Sequence, residues 1–230
     1  MTVGIVTFPG TNCEQDVAYA LDALGIASVP VWHRETSLDG LDAVVLPGGF
    51  AHGDYLRTGA IARFSPIMAA VEKLAAEGRP VLGICNGFQI LCEAGLLPGA
   101  LIANRDLKFI CRPVQLRVES TDSILTGAAT VGQVLTIPLN SYEGNYVAGS
   151  TAPEVVLRYA DRDGSPSDAA NPNGSANSIA GITNAAGNVA GLMPHPERAI
   201  EEFMVSTDGL ILLESFVAAV EAVPAGVAGG

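Results

Sequence analysis

The residues best suited to chemistry in this sequence surround one cysteine, in Gly83-Ile84-Cys85-Asn86-Gly87. An apolar run ends there and a helical pattern follows, which is the context of a nucleophile elbow with cysteine in the serine position. Glycine on either side lets the strand and the helix approach closely while the nucleophile adopts unusual backbone angles. The helix N-terminus favours the thiolate, and the N–H of Asn86 is free to donate to an oxyanion. The segment therefore predicts a cysteine nucleophile.

Because most cysteines inside cells are inert and buried, the setting of each one decides its role. Cys92 lies on an apolar helical face and Cys111 in a strand-like run, so we expect both in the core. Cys13 opens a helix, whose N-terminus leaves it a weaker alternative to Cys85. The wide spacing of the four cysteines offers no C-x-x-C pair and does not indicate a metal site.

A thiolate nucleophile needs a general base, and the chain contains three histidines. His195 has the best setting, because two prolines hold residues 194–197 extended and point His195 and Glu197 to the same side. Each residue alone is more simply explained, one as a turn residue and the other as a carboxylate in the first turn of a helix. Together, beside a cysteine elbow, they indicate a base and its orienting acid. We expect His33 and His52 at the surface or in a pocket.

A second glycine turn, Pro47-Gly48-Gly49-Phe50, follows the apolar run 43–46. Ligands of open parallel sheets bind at the carboxyl ends of the strands, which is also where Cys85 is expected. A Gly-Gly pair is usually only a turn, but its place on the same edge makes its N–H groups candidate oxyanion donors.

The elements that position these residues follow an α/β pattern. Helical patterns at 16–24 and 59–76 alternate with buried strands predicted at 3–8, 28–32, 43–46 and 81–84. This alternation predicts a mostly parallel central sheet flanked by helices. Strand-like stretches between 109 and 135 indicate an antiparallel extension. A surface loop at 161–177, a strand pair at 178–183 and 188–193, and a last helix from about 196 to 220 complete the prediction.

Composition narrows the class of protein. With 49% hydrophobic and 16% charged residues the chain is globular, and we expect one domain over 1–221 with a disordered tail at 222–230. A formal net charge of -12 argues against nucleic acid as a partner. The sequence shows neither a signal peptide nor an apolar run long enough to span a bilayer, which favours a cytoplasmic protein without membrane partners.

These motifs together resemble the class I, triad-type glutamine amidotransferases, which have a flavodoxin-like fold. In that family a G-x-C-x-G-x-Q elbow, here Gly83, Cys85, Gly87 and Gln89, and a distant His-x-Glu carry glutamine hydrolysis. The resemblance is closer to the glutaminase subunits of phosphoribosylformylglycinamidine synthase, and it covers nearly the whole chain to about Glu221. The segments that carry it are FPGTNC (8–13), PGGFAHGDYLRTGAIARF (47–64), GICNGFQIL (83–91), GLLPGAL (95–101), LKFICRPV (107–114), NGSANSIAGI (173–182) and GLMPHPER (191–198).

The resemblance implies a role for each matching residue. Cys85 is the expected nucleophile, His195 the base and Glu197 the orienting acid. The oxyanion donors are the N–H groups of Gly49 and Asn86. The residues expected at the glutamine pocket are Gly48 and Gln89.

The resemblance also implies an activity and its partners. Glutamine is hydrolysed through a γ-glutamyl thioester, and the ammonia passes to a large ATP-dependent synthetase subunit that makes formylglycinamidine ribonucleotide in purine biosynthesis, with a small third subunit. Because this chain lacks a G-x-x-x-x-G-K-[ST] loop, we expect ATP and Mg²⁺ on the synthetase, and no metal or cofactor here.

The sequence departs from this family at two loops. Ala51-His52 replaces a frequent Ser-Tyr, and residues 141–144 (SYEG) replace a frequent His-Gly-Glu-Gly run. The departures concern contacts to glutamine or to a partner and leave the triad intact. Two alternatives stay open: another cysteine hydrolase of this architecture, such as a γ-glutamyl hydrolase or peptidase, and a non-catalytic regulatory subunit.

Overall fold

The computed structural model describes residues 1–223, in which the backbone forms eleven strands and four α-helices. The strands, numbered in chain order, are β1 (Thr2–Thr7), β2 (Ala27–Trp32), β3 (Ala43–Leu46), β4 (Val81–Ile84), β5 (Ala100–Ile102), β6 (Ile110–Val118), β7 (Val134–Ser141), β8 (Asn145–Val147), β9 (Glu154–Ala160), β10 (Ile179–Thr183) and β11 (Val189–Leu192). The helices are α1 (Glu14–Ala23), α2 (Ile67–Ala76), α3 (Asn86–Glu93) and α4 (Gly209–Glu221). None of them is long and apolar enough to cross a membrane.

Five strands form the parallel half of a nine-stranded sheet, in the order β2-β1-β3-β4-β11. This is the flavodoxin-like order 2-1-3-4-5, which confirms the predicted fold class. Every residue of β3, β4 and β11 is buried, as expected for short apolar strands covered on both faces. The carboxyl ends of β3 and β4 therefore lie side by side at one edge.

The predicted antiparallel extension is also present, because the sheet continues through β10, β9, β6 and β7. Burial alternates along β7, so one face of this half packs on the core and the other is more open. A separate pair, β5 with β8, lies outside the main sheet. The end of β7 brings residues 140–143 to the site described below.

The predicted helix over 59–76 is wrong in its first half. The chain instead makes turns as far as Ser65, including a 3-10 turn at Ala62–Phe64, and α2 begins only at Ile67. Pro66 stands directly before the helix, and Ser65, which precedes the proline, is extended with ψ 142°. The residue before a proline avoids the helical region, so the helix cannot extend back across Ser65 although the apolar periodicity continues.

The last helix also starts later than predicted. Pro196–Arg198 forms one 3-10 turn, Ala199 leaves helical geometry, and α4 begins at Gly209. A side chain at Gly209 would lie 2.1 Å from the carbonyl oxygen of Pro196, so glycine is needed where the helix packs on that turn. The expected tail at 222–230 falls mostly on residues 224–230, which lie outside the described part of the chain.

Candidate active site

The turn between β4 and α3 holds Cys85 in a strained backbone conformation with positive φ, at φ 52° and ψ -105°. Glycine is required on both sides of it. A Cβ on Gly83 would lie 2.7 Å from the carbonyl carbon of Gly87, and one on Gly87 would lie 1.8 Å from the Leu46 carbonyl oxygen. The Cys85 N–H donates to the Leu192 carbonyl at 2.8 Å, which ties the turn to β11. The close strand and helix thus hold the thiol at the end of β4.

His195 and Glu197 form a buried pair directly after β11. The Nδ1 of His195 lies 2.7 Å from Oε1 of Glu197, and both side chains are almost wholly buried. A carboxylate only accepts, so Nδ1 carries the proton and Nε2 is left as the reactive nitrogen. Nε2 is buried and has no hydrogen-bond partner among residues 1–223. This is the arrangement of a base held in one tautomer by its orienting acid.

The charge environment of His195 favours its protonated form. Burial alone lowers the pKa of the ring, but the Glu197 carboxylate and the Cys85 sulfur outweigh it and raise the pKa well above 6.5. The buried carboxylate thus favours the imidazolium form of His195.

The side chains meet over Gly48. A Cβ at that position would lie 2.8 Å from Cε1 of His195, 2.9 Å from Sγ of Cys13 and 3.5 Å from Cβ of Cys85. Any larger residue would fill the space that these groups share. Gly48 thus lies where these three side chains meet, and the absence of a side chain there leaves room for them.

Gly49 is fixed against the loop that follows β1. Its φ is 151°, and a Cβ would lie 2.7 Å from the Gly10 carbonyl oxygen. Hydrogen bonds on either side, from Phe50 N–H to that oxygen and from Cys13 N–H to the Gly48 carbonyl, hold the turn without using the Gly49 N–H. The Asn86 N–H, in the first turn of α3, has no acceptor within the helix. Both predicted donors are therefore available beside Cys85.

A cavity of about 550 Å³ opens onto these groups. It is lined by Asn12, Cys13, Gly49, Phe50, Asp54, Thr58, Cys85, Gln89, Phe109, Asn140, Ser141, Tyr142, Glu143, His195 and Arg198. Gln89 lies in its wall, but the side-chain amide already binds protein groups. Its Nε2 donates to the Glu143 carbonyl at 2.5 Å, and its Oε1 accepts from Asn86 at 2.8 Å. Gln89 thus shapes the pocket through the 141–144 loop.

Cys13 is the residue whose place the sequence left open. It is buried, and its Sγ lies within 4.8 Å of ligand atoms of His195 and Glu197. Arg198 donates to this sulfur at 3.2 Å and pairs with Asp16. Sulfur, nitrogen and oxygen atoms at such separations could hold a soft cation, but the hydrogen bond between His195 and Glu197 already accounts for the closeness of these two side chains. Its position after β1, at the same sheet edge as Cys85, is the sequence feature that could have placed Cys13 at the site.

The predictions for the other cysteines and histidines have mixed outcomes. Cys92 is buried as expected, and burial raises the pKa of its thiol, so it is inert. Cys111 is exposed, contrary to prediction, because the first residues of β6 extend beyond its pairing with β9, which starts at Gln115. His33 is buried and bonded to Ser65, so it does not lie at the surface, while the His52 ring packs 5.3 Å from it.

Comparison with known proteins places the chain in a family. Residues 1–209 match the CobB/CobQ-like glutamine amidotransferase domain. The chain is 50% identical over 222 residues to phosphoribosylformylglycinamidine synthase subunit PurQ of Salinibacter ruber, covering 93% of this chain and 94% of that protein. It is 51% identical over 225 residues to PurQ of Rubrobacter xylanophilus, with 95% and 98% covered. The chain belongs to the PurQ family of glutamine amidotransferases.

A solved structure agrees with this assignment. The chain in the structure of PurLQS from Thermotoga maritima is 42% identical and superposes with a TM-score of 0.87, covering 94% of this chain and 97% of that one. The fold that carries the cysteine elbow is thus shared with a PurQ-family relative over nearly its whole length.

Proposed function

We propose that this chain hydrolyses glutamine with Cys85 as nucleophile, His195 as general base and acid, and Glu197 as the group that orients it. The observation that carries the proposal is the buried His195–Glu197 pair, 2.7 Å apart, converging with Cys85 over Gly48 in a PurQ-family chain. The ammonia supplies an ATP-dependent synthetase that makes formylglycinamidine ribonucleotide.

The chemistry is acyl transfer in two halves. The Cys85 thiolate attacks the side-chain amide carbon of glutamine while the thiol proton resides on His195. The C–N bond then breaks as His195 gives that proton to the departing nitrogen, which leaves as ammonia, and a γ-glutamyl thioester remains on sulfur. His195 next removes a proton from water, the hydroxide attacks the thioester carbon, and the C–S bond breaks. Glutamate leaves, and the proton returns to the Cys85–His195 pair.

The negative oxygen of each tetrahedral intermediate needs donors that are already in place. The N–H groups of Gly49 and Asn86 are the proposed pair, one from each of two adjacent strand ends. Losing one such donor typically costs roughly 100- to 1,000-fold in rate. The hydrogen bonds flanking Gly49 therefore support the catalytic turn as well as the fold.

The partners of the relatives suggest those of this chain. The related subunits belong to phosphoribosylformylglycinamidine synthase, and the solved complex is PurLQS. We infer a large synthetase subunit that carries ATP and Mg²⁺, and a small third subunit. The site suits a reducing cytoplasm, since its nucleophile must stay a free thiol. Exposed aromatic and aliphatic side chains in and near the cavity offer a contact surface: Phe50, Tyr55, Leu56, Phe109 and Tyr142.

The segment that links the cavity to this surface is strained. His52, Asp54 and Leu56 all have positive φ, at 54°, 51° and 73°. Such residues persist only when their surroundings hold them, and both Leu56 and the adjacent Tyr55 are exposed. Docking of a partner could therefore shift this segment and, through Ala51, the adjoining Gly-Gly turn.

The test compares the chain alone with the assembled enzyme. With synthetase subunits, ribonucleotide substrate and ATP present, we expect glutamine-dependent amidine formation and glutamate release in equal amounts, with no cleavage of γ-glutamyl peptides. The isolated chain should hydrolyse glutamine roughly 100-fold or more slowly, as when an oxyanion donor is misdirected. Equal glutamine turnover with and without the partner subunits would show that the partners do not activate the site. Cleavage of peptides in preference to glutamine would instead identify a different cysteine hydrolase.

A further inference from the structure

Cys13 lies in the candidate site but has no part in the proposed hydrolysis of glutamine. It is buried and lines the same cavity as Cys85. The two cysteines stand at equivalent points of the fold, since Cys13 directly precedes α1 and Cys85 directly precedes α3. The N-terminus of a helix stabilises negative charge on a sulfur atom. The cavity thus contains two thiols at helix N-termini, and the proposed hydrolysis uses only one of them.

The two cysteines meet over Gly48. A Cβ on Gly48 would lie 2.9 Å from Sγ of Cys13 and 3.5 Å from Cβ of Cys85, and this point is empty because residue 48 is glycine. Both sulfurs also act on the His195 ring. Burial lowers the pKa of this ring, and Cys85 and Cys13 are among the groups that raise it. The two thiols therefore share one imidazole and one empty space.

Weak contacts hold the two thiols in their present directions. The Cys85 thiol donates to the Asn140 carbonyl at 3.6 Å, and the Cys13 thiol donates to Oδ1 of Asn12 at 3.2 Å. Because a thiol is a weak hydrogen-bond donor, neither contact costs much to break. Both side chains can then turn towards the space over Gly48.

Arg198 gives Cys13 a setting that the buried Cys92 lacks. Its guanidinium donates to the Cys13 sulfur at 3.2 Å and is held in place by Asp16, to which its Nε donates at 2.9 Å. A guanidinium only donates, so the sulfur is the acceptor, and the positive charge stabilises a thiolate there. Around Cys92, by contrast, burial raises the pKa of the thiol. Cys13 is thus placed to attack a neighbouring sulfur.

We propose that Cys13 is a resolving cysteine, which forms a disulfide with Cys85 after hydrogen peroxide has entered the cavity and oxidised Cys85. Susceptible cysteines often have such a second thiol beside them. The disulfide occupies the sulfur of Cys85, so glutamine hydrolysis stops. It also prevents further oxidation of Cys85 to sulfinic acid, which is not reversed by thiols.

The disulfide forms in two steps. The Cys85 sulfur attacks one oxygen of hydrogen peroxide, an S–O bond forms and the O–O bond breaks. The departing hydroxide receives the thiol proton through His195 and leaves as water, so peroxide is reduced and Cys85 is oxidised to a sulfenic acid. The Cys13 sulfur then attacks the Cys85 sulfur, and the S–O bond breaks. Its proton leaves with the hydroxide as a second water.

The direct test maps the disulfides of the unmodified chain in the assembled enzyme. After hydrogen peroxide treatment and blocking of free thiols, digestion without reductant and mass spectrometry should give a peptide pair that joins Cys13 to Cys85. The amount of this pair should match the fraction of glutamine hydrolysis that is lost, and dithiothreitol should restore the activity and remove the pair. Loss of activity without this pair would overturn the proposal. Because the linked peptides are detected directly, their detection does not depend on what the site hydrolyses.

Cys13→Ser keeps the size of the side chain but cannot form the disulfide. In excess peroxide this variant should lose activity as fast as the wild type, because Cys85 reacts first in both. Dithiothreitol should then fail to restore it, since Cys85 proceeds to sulfinic acid. Each protein is compared with its own untreated sample. Cys111→Ser, at an exposed cysteine that does not line the cavity, is the matched control and should recover like the wild type. Equal recovery of Cys13→Ser and the wild type would overturn the role of Cys13.

Discussion

At the scale of single residues, the site depends on charges that are buried together. Glu197 and His195 are shielded from water, so their mutual attraction is little weakened by solvent. Burial lowers the pKa of the ring, and the Glu197 carboxylate is the largest of the groups that oppose this effect. Glu197 therefore has two effects, one on the tautomer of the ring and one on its charge.

Glu197→Gln should keep the fold but lower turnover of glutamine in the assembled enzyme by roughly 100- to 10,000-fold, the range of a general acid–base contribution. Because the carboxylate raises the pKa of His195, the variant should also need a lower pH to hold the imidazolium. Glutamate release across a pH series measures both effects. The exposed Glu202→Gln is the control. Wild-type turnover in Glu197→Gln would show that His195 has a different orienter.

The sequence could predict Cys85, His195 and Glu197 because each carries a local signal, a glycine frame or a proline frame. It could not place Asp54 or Thr58 in the cavity, since their position depends on the packing of segments that are distant along the chain. The buried, unpartnered hydroxyl of Thr58 is visible only once the cavity wall is folded.

At the scale of elements, the position of Cys85 depends on how closely α3 approaches β3. Gly87 contacts the end of that strand so tightly that a Cβ would lie 1.8 Å from the Leu46 carbonyl oxygen. Backbone on both sides leaves little room for adjustment. The contact fixes the start of α3, and with it the direction of the Cys85 side chain and the Asn86 N–H.

Gly87→Ala should lower the free energy of unfolding by about 3 kcal/mol, the upper part of the range for overpacking. It should also slow alkylation of Cys85, because α3 must move. Gly149→Ala is the control, since a Cβ there has no contact closer than 3.9 Å. Denaturant unfolding of the isolated chain gives the comparison. Equal midpoints for Gly87→Ala and the wild type would show that the elbow does not need this glycine.

Short β-branched runs bounded by turn residues predicted the strands, but the predicted burial of 28–32 was wrong, because β2 lies at the edge of the sheet and only its Val31 is buried. Helix starts were not predictable, since apolar periodicity continues across residues 59–66 and 199–208 while the backbone does not stay helical. Pro66 and Asp208-Gly209 were the available signals.

At the scale of the whole molecule, one edge of the sheet gathers the residues of the candidate site. Cys85 follows β4, Gly49 follows β3, Cys13 follows β1 and His195 follows β11. These strands are parallel neighbours, so their carboxyl ends meet. The parallel sheet could be inferred from alternating elements, whereas its strand order, the depth of the cavity and the lining by the loop after β7 required the folded chain.

The central claim is that Cys85, and not the neighbouring Cys13, forms the γ-glutamyl thioester. The most direct measurement is amidine synthesis by the assembled enzyme with either glutamine or an ammonium salt as nitrogen source. We expect Cys85→Ala to lower glutamine-dependent synthesis by roughly 1,000-fold or more while ammonium-dependent synthesis persists, and Cys13→Ala to reduce glutamine use without abolishing it. Glutamine-dependent synthesis at the wild-type rate by Cys85→Ala, or a loss of this synthesis only in Cys13→Ala, would contradict the assignment.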